Sequence, residues 1–133
     1  MEVNYLAVIL AALSAFFLGF LWYTVIFAKS WQKEVGMPDD IHKKKNQQTG
    51  LARFLAGSLA LETVMAFNLA IFIGKNSDWL YGLGVGVAFG LGFIGLALGV
   101  NYMFEGKSFK LWLINAGYNT VVFAAMGLII GAL

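Results

Sequence analysis

The sequence predicts an all-α integral membrane protein: an antiparallel four-helix transmembrane bundle with both termini outside. Three observations carry that prediction. Of 133 residues, 60% are hydrophobic and only 12% are charged, whereas a soluble domain carries about 25% charged residues. Four apolar runs, residues 3–28, 51–74, 79–104 and 111–133, each reach the roughly 20 helical residues needed to cross a hydrocarbon core of about 30 Å. The basic residues are distributed very unevenly between the two sides that these runs define. A chain this short has a high surface-to-volume ratio and needs more polar residues, not fewer, to stay in water.

The first run follows Met1-Glu2 with no Lys or Arg before it. A signal peptide would carry a basic segment and a shorter apolar core, so this run reads as a retained spanning helix. Ala7, Ala11, Ala15 and Gly19 recur every fourth residue and form one small face. In lipid, helices gain little by hiding apolar surface, so such faces matter because they let backbones approach closely. The connection 29–50 is expected to be cytoplasmic. Trp31 and Val35 are spaced i, i+4, which extends the first helix along the interface to Gly36, and Pro38 suits the first turn of an extension of the second helix.

The second run repeats small residues at Ala52, Ala56 and Ala60. The third is rich in glycine. Gly82, Gly86 and Gly90 make one stripe, and Gly84, Ala88, Gly92, Gly95 and Gly99 make another. At about 100° per residue, Gly84 lies roughly 200° around the helix from Gly82, so a third helix packed on two opposite sides is expected. The fourth run carries Gly117, Thr120, Ala124, Gly127 and Gly131 along one stripe. These small faces exceed the obvious need of one bundle, and a homo-oligomer is expected. All four runs must be helices, because unpaired backbone groups cannot be left in lipid and no alternating barrel pattern is present. The whole chain, 1–133, reads as a single transmembrane domain.

Orientation follows from Lys and Arg. Lys29, Lys33, Lys43, Lys44, Lys45, Arg53, Lys107 and Lys110 fall on one side, and only Lys75 falls on the other. That excess marks the cytoplasmic side of a multi-pass protein of the cell membrane. Trp31, Trp79 and Trp112 fall near predicted span ends, where an interfacial aromatic belt is expected. Lys43, Lys44 and Lys45 are expected to touch anionic lipid headgroups. Three contiguous charges are too few to suggest nucleic-acid binding.

Several chemistries find no support. The chain has no Cys, which excludes thiol catalysis and disulfides. His42 is the single histidine, in a charged loop beside Asp39 and Asp40, whereas a metal site needs three or four convergent ligands. No phosphate-binding glycine loop is present, since the glycines of the third run lack the following Lys-Ser/Thr. No Ser, His and acid lie together at one depth. Neither an enzyme nor a bound metal or cofactor is expected.

One residue breaks the apolar pattern. Glu62 stands eleven residues after Leu51, about 17 Å along a helix at roughly 1.5 Å per residue, close to mid-membrane. An ionised acid there costs on the order of 3 kcal/mol or more. No Lys, Arg or His lies in the interior of any run. Arg53 lies about 180° around the helix from it and some 13 Å along it. The charge must therefore be avoided by protonation or offset by neutral partners. Candidate partners by depth are Trp22, Tyr23, Thr24, Ser58, Asn101, Tyr102, Asn115, Tyr118, Asn119 and Thr120, and the pocket residues chosen among them are Ser58, Tyr23, Asn101, Asn115, Tyr118 and Asn119. They are expected to form a polar pocket open, or nearly open, toward the cytoplasm, with Glu62 at its floor.

Two segments also carry a resemblance. Asn4-Tyr5-Leu6-Ala7-Val8, Phe17-Leu18-Gly19-Phe20-Leu21-Trp22-Tyr23 and Phe27-Ala28-Lys29-Ser30-Trp31 open the chain. Asn115-Ala116-Gly117-Tyr118-Asn119 and Met126-Gly127-Leu128-Ile129-Ile130-Gly131 close it. Together they resemble the DUF1761 family of small four-span membrane proteins. The family usually has a small residue or Gly-Pro after its Trp-Tyr, where this chain has Thr24-Val25. The resemblance implies a topology, no activity and no set of site residues, because the family's function is unknown. Two functional classes remain. The first is a transporter or channel whose proton- or cation-binding group is Glu62. The second is a non-catalytic scaffold or accessory subunit that acts through helix packing and oligomerisation.

Overall fold

A computed structural model describes residues 3–36 and 50–133, and every regular element among them is helical. The first span is α1 (Tyr5–Leu21) continued by a π-helical turn, Trp22–Ile26, and it leads into a short helix, α2 (Ala28–Val35). The second span is α3 (Leu51–Ile73). The third is α4 (Trp79–Phe89), a second π-helical segment (Gly90–Gly95) and α5 (Leu96–Glu105), and the fourth is α6 (Phe109–Ala132). Four helices among the described residues, Tyr5–Ile26, Ala52–Ile73, Trp79–Glu105 and Phe109–Ala132, are long and apolar enough to cross a membrane, with mean hydropathy of 1.7 to 2.2. Pro38, His42 and the Lys43-Lys44-Lys45 run lie outside the described residues.

Side-chain caps set the helix starts. The Asn4 side chain accepts from Ala7 N at 3.2 Å, Asp78 from Tyr81 N at 2.7 Å and Ser108 from Leu111 N at 3.1 Å. Each satisfies a backbone donor that the first helical turn leaves unpaired. Gly36 and Gly106 close α2 and α5 in the left-handed conformation that glycine adopts without strain, at φ of 72° and 67°.

The centre of the bundle is α6, which touches every other spanning segment. Its most extensive partner is α4, and α1 lies against both α6 and α3. One end of the bundle gathers Asn4, the turn 74–78 and Leu133, since Asn4 Nδ2 donates to Leu133 O at 3.3 Å and Gly131 abuts the Asp78 carbonyl. We call this the terminal end. The other, the loop end, carries α2 and the turn at Gly106–Ser108, where Ser108 Oγ donates to Glu34 Oε2 at 2.6 Å. Ala7, Ala11 and Ala15 are fully buried, and with Ala66, Leu69 and Ala70 of α3 and Val122, Met126 and Ile130 of α6 they form the core. The outer surface is apolar: Met103 and Phe104 are 84% and 89% exposed, and no charged or polar residue is buried among the described residues. Exposed apolar surface on this scale fits contact with lipid.

The third span meets α6 backbone to backbone. Gly82 faces Gly127 and Gly131, Gly86 faces Phe123, and Gly90 faces Asn119, where a Cβ on Gly90 would stand 2.6 Å from the Asn119 carbonyl oxygen. Only a residue with no side chain fits such an approach. Gly95 lies beside Ala116 and Gly99 under the Trp112 indole, on the same helix face. At a uniform helical pitch the last two belong to the opposite stripe. The π-helical segment Gly90–Gly95 explains the difference, because an i→i+5 turn inserts one extra residue. Gly82, Gly86, Gly90, Gly95 and Gly99 thereby become one continuous face. The expected second stripe reduces to Gly84 and Gly92, which have nothing within contact distance, and the exposed Ala88. Gly92 is thus corrected as a packing residue within one copy of the chain.

Candidate functional site

Glu62 sits on α3, half-buried, with α1 and α6 as neighbours of its helix. Tyr118 Oη donates to Glu62 Oε1 at 3.4 Å, longer than the roughly 2.5–3.0 Å of a well-formed O–H···O bond. Glu62 Oε2 is buried and has no hydrogen-bond partner. An unpartnered buried polar oxygen is costly, by about 1–3 kcal/mol, so it needs an explanation beyond packing.

Tyr118 is held by its surroundings. Its hydroxyl stands where Gly19 leaves room, since a Cβ on Gly19 would lie 3.0 Å from it. Its ring meets Tyr23 edge-on at 4.9 Å and Trp22 at 6.3 Å between centroids. The contact is reciprocal: Trp22 packs on Gly117 of α6 and donates from Nε1 to Ile114 O at 2.9 Å. The π-helical turn Trp22–Ile26 ends span one at this level, with Phe27 N donating to Trp22 O at 2.9 Å.

Beyond Tyr118, toward the loop end, a side-chain chain links three spans. Tyr23 Oη donates to Asn115 Oδ1 at 2.6 Å, and Asn115 Nδ2 donates to Tyr102 Oη at 2.6 Å. Lys107 Nζ lies 5.3 Å from the centre of the Tyr102 ring and 3.4 Å from Glu105 Oε2. Trp112 Nε1 donates to Gly95 O at 2.8 Å, which anchors the π-helical segment to α6.

Of the expected polar group, Tyr23, Asn115 and Tyr118 converge here. Asn119 is on the same helix and donates to Asn115 O at 2.9 Å, its own preceding turn. Ser58 is half-buried, one turn before Glu62, and makes no side-chain hydrogen bond among the described residues. Asn101 is exposed and does not join the cluster; Tyr102 occupies that role. The cause is again the π turn. At about 100° per residue Asn101 would fall within roughly 20° of Gly90 and so face α6, but the extra residue hands that face to Tyr102. Cavities of about 590 Å³ and 350 Å³ are lined, respectively, by terminal-end residues such as Asn4 and Ser77 and by Tyr5, Val8 and Thr63. Neither is lined by Glu62 or by the polar residues around it.

Residues 6–131 match the family described as a protein of unknown function, DUF1761. The chain belongs to the DUF1761 family. Neither a curated protein nor a solved structure matches it. In this DUF1761 protein the two segments that carry the resemblance meet each other: Trp22 and Tyr23 of the opening segment dock on Asn115 and Gly117 of the closing segment and on Ile114 just before it. Glu62 belongs to neither segment and reaches the cluster through Tyr118 alone. Among the described residues no group of three His, Cys, Asp or Glu side chains converges.

Proposed function

We propose that this DUF1761 protein is a small transporter or channel of the cell membrane in which Glu62 binds a proton, or a cation, at mid-membrane. The observation that carries this reading is the Glu62 carboxylate, with one buried oxygen that has no partner and the other that has only a long contact to Tyr118. Intramembrane acids are functional hypotheses by default, and a carboxylate fixed for packing alone would be expected to use both oxygens. A proton fits better than a larger cation, because one carboxylate with a single long side-chain contact offers too few ligands for a metal ion.

The register of the third span on α6 supports an antiparallel bundle, since Gly82, Gly86 and Gly90 meet successively earlier residues of α6. The excess of Lys and Arg at the loop end supports a cytoplasmic loop end with both termini outside. A second reading rests on Gly84 and Gly92, which face open space. They support a homo-oligomeric scaffold or accessory subunit that packs through that face.

The deciding experiment is proton flux into reconstituted vesicles under an imposed membrane potential, comparing the wild type with Glu62→Gln. Flux that disappears in the variant supports transport through Glu62. Equal behaviour without flux, together with altered oligomer size in Gly92→Leu, supports the scaffold.

A further inference from the structure

The bundle is chemically lopsided about Glu62. Toward the loop end, a succession of hydrogen-bonding side chains runs across spans one, four and three: Tyr118, then Tyr23 and Asn115, then Tyr102, ending at Lys107 in the turn. All of these except the exposed Lys107 are partly exposed rather than buried. Toward the terminal end the layer of α1, α3 and α6 next to Glu62 is tightly packed and apolar. Ala11 and Ala66 are 0% exposed, Val122 1% and Met126 0%. The nearby hydroxyls of Ser14 and Thr63 are bonded to their own helices, to Ala11 O and Leu59 O, both at 2.7 Å. From Glu62 to the end of α3 at Ile73 is about 17 Å of helix, and the buried residues of α3 along it are Ala66, Leu69, Ala70 and Ile73. The terminal-end cavity lined by Asn4, Ala70, Ser77 and Ile130 lies beyond this layer; a water or proton entering the layer itself would meet only apolar side chains, which is the condition for an apolar barrier.

We infer that Glu62 exchanges with water from the loop end only, and that the packed Ala11, Ala66, Val122 and Met126 layer seals it from the terminal end. This rests on the reading of Glu62 as a proton-binding group, and adds the side from which the proton comes and the place that must open to release it. Tyr118 is a positioning residue in this scheme, because it joins the acid to the wet half.

The absence of cysteine from the sequence makes a direct test clean. Single variants Asn115→Cys, Asn119→Cys, Val122→Cys and Met126→Cys are placed in sealed vesicles of each orientation and exposed to a small, membrane-impermeant cationic thiol reagent. Labelling needs a hydrated thiolate, so the rate reads water at each depth. The expected result is labelling of Asn115→Cys and Asn119→Cys from the loop face, about tenfold or more faster than Val122→Cys or Met126→Cys from either face. Val122→Cys is close to isosteric, and Asn119→Cys leaves the Tyr23–Asn115–Tyr102 chain intact, so at least one variant on each side of Glu62 keeps the fold. Comparable labelling of Met126→Cys from the terminal face overturns the seal. Failure to label both asparagine positions from the loop face overturns the access. The readout is water and not flux: one-sided labelling without proton flux keeps this inference and removes the transport reading, and flux with two-sided labelling does the reverse.

Discussion

The hydroxyl of Tyr118 stands 3.4 Å from Glu62 Oε1, and among the described residues no other side chain bonds that carboxylate. The acid is therefore underserved by the protein around it, and its removal tests whether it exists for structure or for exchange. Glu62→Leu is expected to raise the unfolding midpoint in detergent, by the equivalent of about 1 kcal/mol or more, because it deletes a buried oxygen with no partner. A drop of similar size would show that the acid holds the helices in register.

Tyr118→Phe keeps the ring between Tyr23 and Trp22 and removes only the hydroxyl. Its stability should fall by less than about 1 kcal/mol, since the lost bond is long. Its flux under an imposed potential should fall toward that of Glu62→Gln. Unchanged flux would detach Tyr118 from the path.

The bond from Asn115 Nδ2 to Tyr102 Oη, at 2.6 Å, ties the third span to α6 at one point. A double-mutant cycle of Tyr102→Phe and Asn115→Ala should return a coupling of about 1 kcal/mol. Asn101→Ala, one residue away but exposed, should change stability by less than about 0.5 kcal/mol. A larger effect at Asn101 than at Tyr102 would contradict the rotation imposed by the π turn.

Deleting one residue offers a sharper test of that turn. Removing Gly92, which has open space around it, shortens the spacing from Gly90 to Gly95 from five positions to the four of an α-helical repeat and keeps both on the face toward α6. The variant should fold, with stability within about 1 kcal/mol of wild type. Removing Gly84 instead rotates Gly82 by about 100° away from its place against Gly127. Circular dichroism melts of the two deletions should separate them clearly, and equal losses would mean that the π segment carries no register.

Ser108 caps α6 and also donates to Glu34 Oε2 at 2.6 Å. Ser108→Ala is expected to cost about 1–2 kcal/mol through the lost cap and to loosen α2. Hydrogen exchange at the amides of α2 should rise, whereas Glu34→Gln, which leaves the cap intact, should loosen α2 alone.

The spans and their small faces were legible in the sequence because both depend on local composition: lipid demands long apolar runs, and close backbones demand glycine or alanine. Glu62 was legible for the same reason, as a charge where none is tolerated cheaply. The choice of Tyr102 over Asn101 at the same depth, and the transfer of Gly95 and Gly99 to the face shared with Gly82, were not. A π turn has no hydropathy signature, and it follows from contacts such as Trp112 on Gly95 O that join residues distant in the helix. Depth along the helices brought Tyr23, Asn115 and Tyr118 to one level, but whether they enclose a void or fill it depends on ring packing, which residue spacing does not contain.

The glycine face of the third span has a mechanical consequence. Ordinary helix pairs are locked lengthwise by side chains seated between those of the partner. Along Gly82, Gly86 and Gly90 there are no such teeth, only backbone resting on the backbone of α6. The surface behaves as a smooth rail, and the pins that stop travel along it are gathered at one end, in the bonds from Trp112 to Gly95 O and from Asn115 to Tyr102. Any event that loosens those pins frees a whole span to slide, and the Asn115 pin is joined through Tyr23 and Tyr118 to the carboxylate.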